Sequence, residues 1–183
     1  MQPPQYALVA YVKGPLGELV ESLRREVHPA HAHLPAHLSI LPPRQLHGPE
    51  SAALELVESV CGEVAPFEVE MGDVETFIPI TATVFIRVAH AAYRMRELHD
   101  RLNTGPLHAK EQWPYMPHLT IFRMDEFDEA REVLEPAVQR WSDYSGPRRV
   151  RVDELFFVRG SGDDRWADLA PIRLGQRLAP VRS

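Results

Sequence analysis

An α+β fold is predicted by two features of the chain. Short apolar runs of strand length are interspersed with segments of helical periodicity, and some strands follow one another closely enough to form hairpins. An order of strand, helix, histidine-bearing strand and helix also occurs twice. Outside one short motif the two halves share almost no residues, so the repeat is one of pattern.

The elements follow in order. Tyr6 to Val12 is an apolar run of strand length, and Pro15 stands where a helix would begin. Leu16, Leu19, Val20, Leu23 and Val27 then recur at helical spacing. A strand is expected at about 37–41. After Gly48-Pro49 comes a helix carrying Leu54, Val57 and Cys61. Phe67 to Val74 and Thr81 to Val88 read as strands, and a helix over about 91–103 carries Met95, Leu98 and Leu102. A loop from Asn103 to Pro117 leads to a second histidine strand. Phe127, Ala130, Leu134, Val138 and Trp141 mark the last helix, and Val150–Val158 and Trp166–Leu174 the last strands. Seventeen prolines imply many defined turns, and no linker divides residues 1–183, so one domain is expected.

The two histidine strands carry the chemistry. They read His37-Leu38-Ser39-Ile40 and His118-Leu119-Thr120-Ile121, with the histidines 118 − 37 = 81 positions apart. Alternate side chains of a strand share a face. His37 therefore sits beside Ser39 and His118 beside Thr120, while Leu38, Ile40, Leu119 and Ile121 face a core. Each strand offers one imidazole and one hydroxyl to the same side. A single copy would be an ordinary core strand with a hydrogen-bonded histidine, but duplication with matching flanks points to function.

The paired motif resembles the 2H phosphoesterase superfamily, which includes 2′-5′ RNA ligase-like and cyclic phosphodiesterase proteins. Pro-His-Leu-Thr-Ile-Phe-Arg at 117–123 is similar to the second family motif, including an arginine five residues after the histidine. Ala-His-Leu-Ser-Ile-Leu-Pro-Pro at 36–43 is similar to the first, with serine where threonine is commoner. The resemblance implies two pseudo-symmetric lobes, each a small mostly antiparallel sheet with helices outside. One histidine strand per lobe would face a central groove. It also implies hydrolysis of a 2′,3′-cyclic phosphate or related phosphodiester on a nucleotide or RNA end, as in RNA processing, or the reverse joining of a 2′-5′ bond.

Facing imidazoles suit acid–base chemistry, because with an ordinary pKa near 6.5 one can be neutral while the other is protonated. The neutral one takes a proton from attacking water, and the protonated one gives a proton to the departing ribose oxygen. Ser39 and Thr120 can hydrogen-bond the non-bridging phosphate oxygens. His118 is assigned as base and His37 as acid, although near symmetry permits the reverse. The scheme requires no metal or cofactor. A non-catalytic module binding RNA or a nucleotide in the same groove is the alternative, but such a module has no need of two proton-transfer groups.

Three further residues are candidate substrate contacts. Arg123 matches the family arginine, yet it stands an odd number of residues from His118. A regular strand would turn it to the core, so a bulge, or an end of the strand near Phe122, is needed to aim it at phosphate. Arg44 follows the two prolines after the first motif. Tyr115, in the loop before the second, could stack on a base. His28, His31 and His33 cluster on a proline-interrupted loop without a cysteine or suitably spaced carboxylate, so no metal site is expected.

Composition narrows the partners. The formal net charge is −6, and the cluster Arg148, Arg149 and Arg151 is too small to make a basic face for extended duplex nucleic acid. A nucleotide or RNA end is the expected substrate. No run approaches a membrane span, and the first residues lack a signal-peptide pattern. The single cysteine, Cys61, excludes an internal disulfide and reads as buried filler, which suits a cytoplasmic protein. Nothing in the sequence indicates an oligomeric state.

Overall fold

The computed structural model describes residues 3–162 and 165–179. Eight strands and four α-helices alternate along it. The elements are β1 (Gln5–Tyr11), α1 (Gly14–Val27), β2 (His37–Arg44), α2 (Glu50–Gly62), β3 (Phe67–Thr76) and β4 (Thr83–His90). They continue with α3 (Ala92–Leu102), β5 (His118–Arg123), α4 (Phe127–Asp143), β6 (Arg149–Val152), β7 (Glu154–Gly160) and β8 (Trp166–Arg173).

The strands form one antiparallel sheet in the order β6-β3-β4-β5-β2-β1-β7-β8. Its two four-stranded halves are the two lobes, and the histidine strands β5 and β2 meet at the join. The order is symmetric about that join, with β2 answering β5, β1 answering β4, and β7 answering β3. The lobes touch lightly there, since Leu38 opposite Leu119 is the one register pair between β2 and β5. The expected strand over 150–158 is in fact two. Val152 ends β6 beside β3, and after Asp153 the chain begins β7 beside β1, on the other lobe. No glycine or proline marks this break, because long-range pairing imposes it.

All four helices pack on one face of the sheet. Leu16, Val20 and Leu23 of α1, Val57 and Cys61 of α2, Met95, Leu98 and Leu102 of α3, and Trp141 of α4 join the same buried core as Leu38, Ile40, Leu119 and Ile121. A Cβ on Gly17 would lie 2.1 Å from the Val12 carbonyl oxygen, so only glycine lets α1 settle this close to the end of β1. Burying an isoleucine or leucine side chain contributes about 2 kcal/mol, and this fixes which face of each histidine strand turns inward. Burial pushes the Cys61 thiol up to about 12, so it stays an inert thiol within α2.

Helices and histidine strands are exchanged between lobes. Helix α1 precedes β2 yet packs on β5, and α3 precedes β5 yet packs on β2. Each lobe is thus buttressed by the other.

Candidate active site

In β2 and β5 the apolar residues are buried and the histidines and hydroxyls half-buried, so His37, Ser39, His118 and Thr120 occupy the helix-free face. Each imidazole is oriented in the same way. His37 Nδ1 lies 2.8 Å from the Pro35 carbonyl, and His118 Nδ1 lies 2.7 Å from the Met116 carbonyl. A carbonyl only accepts, so Nδ1 carries the proton in both rings and Nε2 is left for the groove. Leu38 and Leu119 are flanked on the one strand by His37 and Ser39 and on the other by His118 and Thr120, so all four groups border the join of the lobes.

A β-bulge follows the motif in each strand. Between β4 and β5 the register runs from Phe85–Thr120 to Val84–Phe122, leaving Ile121 as the extra residue. Between β1 and β2 it runs from Val9–Ser39 to Leu8–Leu41, leaving Ile40 extra. Both strands bury two consecutive residues as a result, Ile40-Leu41 and Ile121-Phe122. The parity then flips, and Arg123 emerges exposed at the end of β5, on the side of His118 and Thr120. Pro42 holds the corresponding place in β2.

Burial holds both imidazoles below the ordinary histidine pKa, against the pull of the Pro35 and Met116 carbonyls. The cationic form of Arg24 adds to the depression of His37. The neighbours of the two rings also differ, because Tyr11 pairs with His37 in β1 and Arg87 pairs with His118 in β4. The Tyr11 hydroxyl donates to Asp168 at 2.5 Å, and its ring rests on Phe156. Around His118, the rings of Phe77 and Phe85 approach edge-on at 5.0 and 5.2 Å.

The sequence-predicted contacts divide. Ser39, Thr120 and Arg123 share the face of the two histidines. Arg44 does not join them: it pairs with Tyr6 on the core side and is 4% exposed. Its guanidinium donates to the Pro42 and Leu107 carbonyls, to Asn103 Oδ1 and to the Glu111 carboxylate at 2.8 Å. It anchors the loop that leads to β5, and the expectation of a phosphate contact is corrected. Tyr115 is committed as well. Its hydroxyl donates to the Ser39 carbonyl at 2.7 Å, and its ring stacks on His99 at 4.1 Å. Among the described residues, no group of three or more His, Cys, Asp or Glu is placed to hold a metal ion. His28 and His31 instead stack on each other at 4.2 Å.

Two arginines near the site went unread in the sequence. Arg87 had no motif to mark it. Arg24 had a signal, because it occupies a slot of the apolar stripe of α1, four residues after Val20, and a charge in such a slot needs buried partners. A cavity of about 460 Å³ also opens beside Tyr11 and Pro35, with Lys13, Glu18, Glu21 and Asp168 in its walls. The histidines do not line it, and three carboxylates make it a poor place for phosphate.

Residues 12–164 match the family model described as the 2′-5′ RNA ligase superfamily. The chain belongs to that superfamily. It is 30% identical over 131 residues to "Putative phosphoesterase BH1439" of Halalkalibacterium halodurans, covering 70% of this chain and 75% of that one. Among solved structures it is similar to E. coli LigT complexed with 3′-AMP, with a TM-score of 0.65 at 16% identity over 96% of this chain and all of the other. It is similar also to Usb1 of Kluyveromyces marxianus, with a TM-score of 0.54 at 14% identity over 93% and 97%. These two likenesses are of fold. The relatives and the family together make the chain a phosphoesterase-family protein with the LigT-like fold.

Proposed function

We propose that the protein is a metal-independent phosphoesterase that opens a 2′,3′-cyclic phosphate, or a related phosphodiester, on a nucleotide or RNA end. The observation that carries this reading is the matched presentation of two imidazoles, each with Nδ1 tied to the carbonyl two residues upstream and a hydroxyl beside it. LigT was solved with phosphate and with 3′-AMP. A ribose phosphate between the two strands would meet Ser39, Thr120 and Arg123 as hydrogen-bond donors.

We assign His37 as the base and His118 as the acid, the swap that the near symmetry of the pair permits. The cation of Arg24 adds to burial in favouring the neutral form of His37, which suits it to act as base. His37 takes a proton from water as the water oxygen attacks phosphorus. The bond to one ribose oxygen breaks, and His118 gives that oxygen its proton. An anionic phosphoryl group between the rings raises the proton affinity of both, which recharges His118 once substrate is bound. Ser39, Thr120 and Arg123 stabilise the charge that gathers on the non-bridging oxygens.

The test is turnover of a panel of 2′,3′-cyclic nucleotides with EDTA present, for wild type and for His37→Ala and His118→Ala. Activity that survives chelation and drops by about a hundredfold or more in each variant supports the reading. Turnover indifferent to both substitutions contradicts it. Nucleotide binding without any turnover favours a binding module.

A further inference from the structure

The groove exists because β2 and β5 part after a single register pair, and parting leaves backbone carbonyls without ladder partners. A bulge adds to this deficit, since its extra residue is also left out of the ladder. Two side chains supply what is missing. Arg24 Nε donates to the Ile121 carbonyl at 3.0 Å, and another guanidinium nitrogen donates to the Thr120 carbonyl at 2.6 Å. A third bond, at 2.5 Å, reaches the carbonyl of Leu34, three residues before His37. On the other strand the Tyr115 hydroxyl donates to the Ser39 carbonyl. Ser39 and Thr120 are matching positions, so the two braces answer each other across the symmetry of the fold. Each also comes from the segment preceding the opposite histidine strand.

The braces differ in kind. Arg24 is a cation, 5% exposed, and it spends its donors on backbone. A buried guanidinium is costly unless every donor is used. An apolar residue would suit this slot of the α1 stripe better if packing were its only task. We propose that Arg24 is a positioning residue of the active site: it ties β5 to the segment leading into β2 and pins the Ile121 bulge, and through that bulge it sets where the Thr120 hydroxyl and the Arg123 guanidinium meet phosphate. The inference rests on the phosphoesterase reading above for its catalytic consequence. Its geometric part, the aim of Thr120 and Arg123, stands without it.

A double-mutant cycle on the full chain tests the proposal, using wild type, Arg24→Met, Arg123→Ala and the double variant. Hydrolysis of 2′,3′-cyclic AMP and affinity for inorganic phosphate are both measured. Arg24→Met is expected to lower kcat about tenfold in the wild-type background and by less than threefold once Arg123 is gone, because sites acting through one another are not additive. A merely structural arginine would cost the same factor in both backgrounds, and that result overturns the proposal. If Arg24→Met does not fold, Arg24→Lys takes its place, since it keeps the charge but lacks the planar fork that spans two carbonyls. Should wild type fail to hydrolyse the cyclic nucleotide, the phosphoesterase reading fails, and the cycle is read in phosphate affinity alone. Coupling there upholds the positioning role. Independent effects, or no phosphate affinity in wild type, refute it.

Discussion

The lobe of His37 and the lobe of His118 carry the same parts and different surroundings. Each has an imidazole tied back to a carbonyl two residues upstream, a hydroxyl two residues on, and a bulge at the isoleucine after it. Around these, the first lobe places Tyr11, Pro42 and a phenolic brace, and the second places Arg87, Arg123 and a guanidinium brace. What is duplicated is what proton transfer needs. What differs is charge, which is concentrated on the His118 side, where the proposed function calls for contacts to phosphate. Under the proposed function, a nearly symmetric pair then runs an asymmetric reaction, with one imidazole as base and the other as acid.

Removing the shared parts should have the largest effects. Thr120→Val is expected to lower kcat about a hundredfold, the scale for one lost donor to a developing oxyanion. Ser39→Ala should cost less, because a serine lacks the methyl that fixes the rotamer and holds its hydroxyl less firmly. Steady-state kinetics on a cyclic nucleotide would check both, and equal losses would remove this difference between the lobes. The two arginines that the sequence treated alike come next. Arg123→Ala should reduce kcat/KM about tenfold and leave the melting temperature unchanged. Arg44→Ala should destabilise by about 3 kcal/mol, because it leaves the buried Leu107 carbonyl without this donor and takes the arginine from Glu111, which then has His99 alone of its two partners here. Thermal unfolding alongside kinetics separates the two, and a catalytic loss at Arg44 without loss of stability would reverse the assignment.

Smaller effects are expected at the flanks. Arg87 is half exposed and only loosely paired, 3.6 Å from Glu75. Arg87→Gln should cost about threefold in kcat/KM at low ionic strength and almost nothing at high salt, as for any screened surface charge. The pH dependence is a matter of sign. Both free imidazoles lie below 6.5, chiefly through burial. As pH rises, activity should appear when the base loses its proton and vanish when the acid does, so both limbs of kcat/KM fall on the acid side of 6.5. The alkaline limb of kcat should lie higher, since bound phosphate restores proton affinity. A kcat/KM profile centred above 7 would contradict the burial argument.

Much of this site is legible in the sequence because strand alternation is a strict rule. Once 37–40 and 118–121 are read as strands, the common face of His37 with Ser39 and of His118 with Thr120 follows. Arg123 shows where the rule needs help. Parity sends it inward, and only the bulge at Ile121 brings it out. The doubled apolar residues, Ile40-Leu41 and Ile121-Phe122, were the available sign of that bulge in both copies. Arg44 lies beyond a second register shift, between Tyr6 and Leu8 of β1, so its side could not be counted from His37. The split at Asp153 left no local trace either. Arg24 was the clearest missed signal, a cation in an apolar stripe whose buried partners belong to a strand almost a hundred residues away.

The central claim is that the two histidines act as one device. The most direct measurement is turnover of a 2′,3′-cyclic nucleotide by His37→Ala, His118→Ala and the double variant under one set of conditions. Groups acting as a unit are grossly non-additive. Each single variant should therefore lose about a hundredfold or more, and the double should be little worse than the weaker single. A dispensable histidine, or losses that multiply in the double variant, would contradict the account.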